Sequence, residues 1–193
     1  MKNNLDDKGE DIKQSSKKKD VLDFIKYVVI AILIVIPIRI FIAQPFVVSG
    51  ESMFPTFLDG DYLIVDEVSY HTGEPERGDV VIFKYPLDPK RFFIKRIIGL
   101  PNESIEVKDG IITIKNTSNP QGFTYPEPYL KQDFKDTFSY QTANDEYFVL
   151  GDNRARSSDS RYWGSLPKNL IIGRAFVRLL PLKDISYLPG NNK

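Results

Sequence analysis

Apolar residues form one long run near the start of the chain and many short runs after it. Residues 21–43 are almost entirely apolar, and the run's two cations, Lys26 and Arg39, lie near its ends. A helix needs about 20 mostly apolar residues to cross a bilayer, and long cationic side chains near the ends can reach the headgroups. The pattern predicts one transmembrane helix over 21–43, after a polar tail over 1–20.

The basic residues predict how this anchor is oriented. Lysines occupy positions 17–19, whereas no Lys or Arg occurs between Arg39 and Arg77. Because basic residues stay on the cytoplasmic side, we expect a single-pass protein of the cell membrane, with a cytoplasmic N-terminus and an extracytoplasmic body. A buried core helix is disfavoured because the run is apolar on all sides. A cleaved leader is disfavoured because residues 42–45 lack a small-x-small cleavage pattern.

Residues 44–182 consist of short β-branched and aromatic runs between turn residues, which is typical of an antiparallel β domain. Asp109-Gly110 between two such runs predicts a two-residue hairpin, since both residues tolerate positive φ. The predicted strands are Phe46–Val48, Tyr62–Glu67, Asp79–Tyr85, Phe92–Gly99, Ile105–Lys108, Ile111–Lys115, Glu146–Leu150 and Leu170–Leu180.

Two further segments lack a strand pattern. Residues 117–145 are rich in Asn, Pro, Gly and Tyr without a clear period, so we expect an inserted smaller subdomain there. Residues 183–193 are expected to form a loosely held tail. The fold class is therefore mostly β: an antiparallel β-sheet domain with an insertion, preceded by one membrane helix.

The amino-acid composition limits the kinds of catalytic and binding sites that the chain can form. The chain has no cysteine and a single histidine, His71, so a His-bound metal site or a Ser-His-Asp triad would depend on that one residue. Its polar neighbours indicate a surface loop. The 26 basic and 26 acidic residues balance, which gives no bulk positive charge for nucleic acid. We expect no metal, no cofactor and no nucleic-acid partner.

A candidate nucleophile follows the first predicted strand. Ser52 lies in a segment bracketed by Gly50 and Pro55, and such a segment favours a tight turn that can present a small side chain. A serine needs a neighbouring base to act as a nucleophile. An ordinary turn serine is the alternative.

Lys95 is the candidate base. It lies in an otherwise apolar strand and shares one face with Phe93 and Ile97, while Arg96 lies on the other face. Burial lowers the pKa of a lysine, and a fall from about 10.4 to about 8 corresponds to roughly 3 kcal/mol. A neutral lysine could accept the serine proton. The alternative is an edge-strand lysine that points into water.

A polar, charged loop over 151–164 follows another apolar strand, where functional loops are common. Asp159 can pair with Arg161, and Asp152 with Arg154. A solvated loop held by its own ion pairs is the alternative.

Taken together and in order, these segments resemble signal peptidase I of the prokaryotic type, a family of Ser/Lys serine proteases. The resemblance covers most of the chain, and five segments in the family's order behind one anchor make a specific signal. The matching segments are Gln44–Phe46, Ser49–Thr56, Arg77–Phe83, Lys95–Pro101 and Gly151–Gly164.

The resemblance implies a membrane-bound endopeptidase that removes N-terminal signal peptides from exported preproteins, with the lipid bilayer as its setting. It implies Ser52 as nucleophile, Lys95 as general base, and Ser157 as the hydroxyl that orients the lysine amine. Asp159 and Arg161 match a structural ion pair. Shallow apolar pockets for small residues one and three places before the cut would be lined by Val48, Met53, Phe57, Phe93 and Ile94.

Two departures from the family pattern keep alternatives open. Gly50 occupies a position where some relatives have a serine that helps to bind the oxyanion, so the oxyanion region would depend on the Ser52 N–H and an unidentified second donor. Asn102 replaces a usual glycine, although Asn accepts left-handed backbone. A peptide-binding relative without activity therefore stays open. A self-cleaving repressor or a conjugation-linked peptidase is disfavoured because the N-terminal segment reads as an anchor.

Overall fold

The computed structural model describes residues 20–35, 44–131 and 135–190. The chain divides into two compact units, Met1–Phe41 and Ile42–Lys193. Helix α1 covers residues 20–35. Within these described ranges, no helix is both long enough and apolar enough to cross a membrane. Residues 1–19 of the tail predicted over 1–20, and the last part of the predicted anchor, 36–43, lie outside them.

The second unit is built from two antiparallel sheets. The larger sheet has the order β1-β2-β11-β3-β4-β9-β10, with β12 paired to β11. Its strands are β1 (Gln44–Val47), β2 (Tyr62–Asp66), β3 (Val80–Tyr85), β4 (Asp88–Gly99), β9 (Glu146–Leu150), β10 (Leu166–Pro167), β11 (Ile171–Leu180) and β12 (Ser186–Tyr187).

The smaller sheet has the order β7-β6-β5-β8. Its strands are β5 (Ser104–Lys108), β6 (Ile111–Lys115), β7 (Phe123–Thr124) and β8 (Phe138–Gln141). Short helices α2 (Ser69–Thr72) and α3 (Ser160–Trp163) interrupt the loops, and α2 contains His71, which was expected in a loop.

The prediction of a mostly β, antiparallel domain is confirmed, and each of the eight predicted strands is present with ends shifted by a few residues. The predicted hairpin between β5 and β6 is also confirmed. Lys108 pairs with Ile111, and Asp109 and Gly110 both have positive φ, 51° and 83°. The smaller sheet starts at Ser104, before the 117–145 segment expected to form the insertion.

Strand β3 lies at the centre of the larger sheet and is buried on both faces. Val80 and Ile82 pack into one apolar cluster, and Val81 and Phe83 pack into another. This follows from the twofold alternation of side chains along a strand. A third cluster joins the two sheets and contains Ile98, Ile105, Val107, Ile112, Ile114, Phe148 and Leu150.

The C-terminal segment departs from the expected loose tail. β12 pairs with β11, and the N–H of Leu188 donates to the carbonyl of Phe176 at 2.7 Å. The carbonyl of Gly190 accepts a hydrogen bond from Arg96. Backbone pairing and a buried cation therefore hold this segment as far as residue 190.

A buried ion pair joins β4 to the loop that follows β9. Arg96 on β4 and Asp152 after β9 are each almost fully buried, and Arg96 Nε lies 2.8 Å from Asp152 Oδ1. The guanidinium also donates to the Gly78 carbonyl at 2.9 Å and lies 3.9 Å from the ring centroid of Tyr129. Such a pair is costly to break because one buried charge would be left without its partner.

We therefore expect Asp152→Asn to lower the free energy of unfolding by about 3 kcal/mol. The matched control is Glu106→Gln, which removes the exposed pair with Lys115 and should cost less than about 1 kcal/mol. Urea unfolding followed by the fluorescence of Trp163, the single tryptophan, measures both. Equal losses for the two variants would contradict the structural role assigned to the buried pair.

Candidate active site

Ser52 lies on the loop that connects β1 to β2. The two ends of this loop are tied together, since Val48 N–H donates to the Asp61 carbonyl and Gly60 N–H to the Val48 carbonyl, each at 2.9 Å. Met53 and Phe57 have no exposed surface and anchor the loop in the apolar core. The loop therefore presents Ser52 from a fixed backbone.

Lys95 lies on β4, opposite Val81 of β3. Its exposed fraction is 3%, so the strand buries it. Lys95 Nζ lies 2.7 Å from Ser52 Oγ, 2.8 Å from the carbonyl oxygen of Ile94 and 5.3 Å from the ring centroid of Phe93. The two residues singled out from the sequence are thus in hydrogen-bond contact although 43 positions separate them.

Burial lowers the pKa of the Lys95 amine to about 8, while the negative charges of Asp159 and Asp152 act in the opposite direction. From the ordinary value of 10.5, this shift corresponds to about 3 kcal/mol of destabilisation of the charged form. Lys95 forms no ion pair with a carboxylate among the described residues. A substantial fraction of the amine is therefore neutral at pH values near 8.

The loop after β9 supports Ser52 from behind. Asn153 N–H donates to the Ser52 carbonyl at 3.0 Å. A Cβ on Gly151 would lie 2.5 Å from that carbonyl oxygen and 2.2 Å from Ser157 Oγ, so a side chain at this position would push the two loops apart. Thr56 Oγ1 donates to Asp152 Oδ2 and adds a side-chain bond between the loops.

Asp159 and Arg161 form the expected ion pair, with Arg161 Nε 2.8 Å from Asp159 Oδ1. Asp159 is fully buried and also accepts from the Gly151 N–H at 3.0 Å. The pair thus holds the loop next to the nucleophile. Asp152, expected to pair with Arg154, pairs with Arg96 instead, and Arg154 pairs with Glu127.

Ser157 lacks one hydrogen bond that its expected role includes. Its hydroxyl is buried and makes no hydrogen bond within the part of the chain that the structure describes. The expected bond to the Lys95 amine is therefore absent from this arrangement, where the amine contacts Ser52 and the Ile94 carbonyl.

The N–H of Gly50 already donates to another group, so it is not free to bind an oxyanion. Gly50 has a φ of 89°, and its N–H donates to Asp59 Oδ1 at 2.8 Å. The N–H of Ser52, by contrast, has no acceptor among the described residues. The positive φ of Asn102, 61°, agrees with the prediction that Asn preserves the turn.

A cleft of about 460 Å³ opens at the dyad between β1 and β4. Among the expected pocket residues, Val48, Phe93 and Ile94 line it. Met53 and Phe57 do not, because both face the core beneath the loop. Arg91, Phe92 and Ser158 also line the cleft and are exposed, although no sequence pattern pointed to them.

The chain is similar to known proteins over most of its length. The family model described as signal peptidase, peptidase S26, matches residues 21–180. "Probable signal peptidase I-2" of Synechocystis sp. is 35% identical over 92% of this chain and 84% of its own length. "Signal peptidase I P" of Bacillus subtilis subsp. natto is 34% identical over 91% of this chain and 97% of its own length.

The chain also matches a crystal structure of a signal peptidase I from Enterococcus faecalis V583 at 30% sequence identity. The match covers 52% of this chain and 96% of the Enterococcus chain, with a TM-score of 0.46. The family assignment rests instead on the family match over residues 21–180 and on the two relatives, which align over most of their length. The chain therefore belongs to the signal peptidase I enzymes of the peptidase S26 family.

Proposed function

We propose that this chain is a membrane-bound serine endopeptidase that removes N-terminal signal peptides from exported preproteins, with Ser52 as nucleophile and neutral Lys95 as general base. The observation that carries the proposal is the 2.7 Å contact between Lys95 Nζ and Ser52 Oγ at a buried position. A buried amine without a paired carboxylate is suited to accept a proton near neutral pH.

In the proposed reaction, the Ser52 hydroxyl attacks the scissile carbonyl carbon while its proton moves to Lys95 Nζ. The protonated amine then donates this proton to the departing amine of the substrate as the peptide bond breaks. Water attacks the resulting ester with Lys95 again as base, which regenerates Ser52 and releases the leader as a carboxylate. Ser157 is proposed to orient the amine, and its buried hydroxyl, which has no other hydrogen-bond partner among the described residues, supports this role.

The proposed oxyanion donor is the Ser52 N–H. The Glu51 carbonyl accepts a hydrogen bond from the Phe54 N–H at 3.1 Å. Because the peptide group is planar and trans, the Ser52 N–H points away from that bond. Preorganised donors of this kind typically contribute about 10²–10³ in rate.

The leader peptide is proposed to bind in the cleft between β1 and β4 as an added strand. β1 is the terminal strand of its sheet, so its outer edge is unpaired among the described residues, and such edges accept extended peptides. Val48, Phe93 and Ile94 supply apolar walls. Their proximity to Ser52 supports a preference for small residues one and three places before the cut.

The apolar run over 21–43 is proposed to anchor the enzyme in the cell membrane as a single span. The lysines before it support a cytoplasmic N-terminus, so the peptidase domain would face the opposite side. This position suits a substrate whose own apolar segment is still in the bilayer.

We expect Ser52→Ala and Lys95→Arg to lower kcat/KM for a preprotein by at least about 10³, because arginine keeps the charge but cannot act as a base near neutral pH. Gel-based processing of a preprotein in vesicles measures the rate. The matched control is Lys90→Arg, which changes an exposed lysine on the same strand and should leave the rate unchanged. Near-normal processing by Lys95→Arg would exclude the proposed base.

The pH dependence follows from the lowered pKa of Lys95. Only the neutral amine accepts the serine proton, so kcat/KM should rise with pH, with an inflection near pH 8, and level off above it. Peptide cleavage by the full chain between pH 6 and pH 10 measures this profile. A profile that is flat across this range would show that no lysine titration controls the reaction.

Lysine burial also predicts a stability change. With a folded pKa near 8 and an ordinary value of 10.5, the unfolded chain binds more protons between these values, so stability rises with pH there. Lys95→Met should therefore stabilise the protein by up to about 3 kcal/mol at pH 7. Urea unfolding at pH 7 and at pH 10 should show this advantage shrinking at the higher pH. An advantage that grows instead would refute the burial penalty.

A further inference from the structure

Glu51 and Arg156 form an ion pair at the surface beside the nucleophile. Glu51 directly precedes Ser52, and the side chains of Glu51 and Arg156 are 57% and 70% exposed. Exposed pairs contribute at most about 1 kcal/mol to stability. The two loops are already joined by the Asn153–Ser52 backbone bond and the Thr56–Asp152 bond. The two charges are therefore accessible to a peptide that lies across Ser52.

This pair lies outside the cleft that is proposed to hold the leader, since neither Glu51 nor Arg156 lines it. A second hollow of about 280 Å³ adjoins the same two loops, where it is lined by Phe54 and Asn153. With the leader part of a substrate in the first cleft, the chain after the scissile bond continues past Ser52 toward this hollow. This direction rests on the proposed function.

Two lysines of the second hollow form no ion pair among the described residues. Its arginines are paired, Arg154 with Glu127 and Arg161 with Asp159 and Asp136. Its other carboxylate, Asp152, is paired with Arg96. Lys131 and Lys135 also line the hollow and are exposed, and neither forms an ion pair with a described residue.

We propose that Arg156 and this hollow form a subsite that binds carboxylate side chains among the first residues after the scissile bond. Glu51 is the competing carboxylate that occupies Arg156 when no substrate is bound. An acidic residue of the substrate takes its place, so the enzyme prefers Asp or Glu there over a neutral residue of equal size. The subsite thus determines specificity on the side of the released protein.

The test uses the full chain in detergent and peptides that are identical up to the cut. In each pair, one of the first three residues after the cut is either Glu or Gln. The kcat/KM ratio of the Glu peptide to the Gln peptide should be about two- to fivefold at one or more positions at low salt. It should fall toward one in 0.5 M NaCl, because salt screens exposed charges.

The two partners of the pair should shift this ratio in opposite directions. Arg156→Gln should bring it close to one, whereas Glu51→Gln should raise it because the competing carboxylate is gone. Lys183→Gln, an exposed lysine away from both hollows, should leave it unchanged. If Arg156→Gln and Glu51→Gln each lowered cleavage of the Glu and Gln peptides equally, the pair would be purely structural. That result would overturn the subsite.

Failure of the subsite and failure of the proposed function give different results. Equal cleavage of Glu and Gln peptides by the unmodified enzyme overturns the subsite and leaves the peptidase assignment intact. Absence of cleavage of every peptide overturns the proposed function and, with it, the subsite.

Discussion

The site depends on one physical constraint: β4 buries the Lys95 amine, and no carboxylate of the described residues forms an ion pair with it. The adjacent cation, Arg96, is equally buried, but Asp152 neutralises it and three further groups surround its guanidinium. Lys95 has a serine hydroxyl and a backbone carbonyl instead. One strand thus carries a charged structural cation and, next to it, an amine whose neutral form is favoured by burial.

Two loops must then meet to place a hydroxyl on that amine. The absence of a side chain at Gly151 allows the loop after β9 to approach the Ser52 carbonyl. Asp152 bonds to Thr56 on the nucleophile loop and to Arg96 on the lysine strand. The same carboxylate therefore links the structural core to both members of the dyad, which ties the geometry of the site to the stability of the fold.

Local patterns in the sequence predicted the strands of the domain and the Asp109-Gly110 hairpin, because alternation and turn chemistry act over a few residues. The two-residue strands lack any period and were missed, and so was the four-residue strand β8 inside the segment expected to form an insertion. Contacts between segments that are far apart in the sequence could not be predicted from these local patterns. Pairing of Arg96 with Asp152 depends on β4 lying beside β9, and the burial of Met53 depends on which side of its loop faces the core. The contact of Ser52 with Lys95 was expected from the chemistry and the family resemblance, not from the strand pattern alone.

The central claim is that burial lowers the pKa of the Lys95 amine to about 8. Its most direct test is an NMR titration of lysine side-chain carbon and nitrogen resonances in the full chain, with Lys95 assigned by the signal that disappears in Lys95→Arg. We predict a midpoint near pH 8 for this residue, while exposed lysines titrate near their ordinary value of about 10.4. A Lys95 midpoint at that ordinary value would contradict the account.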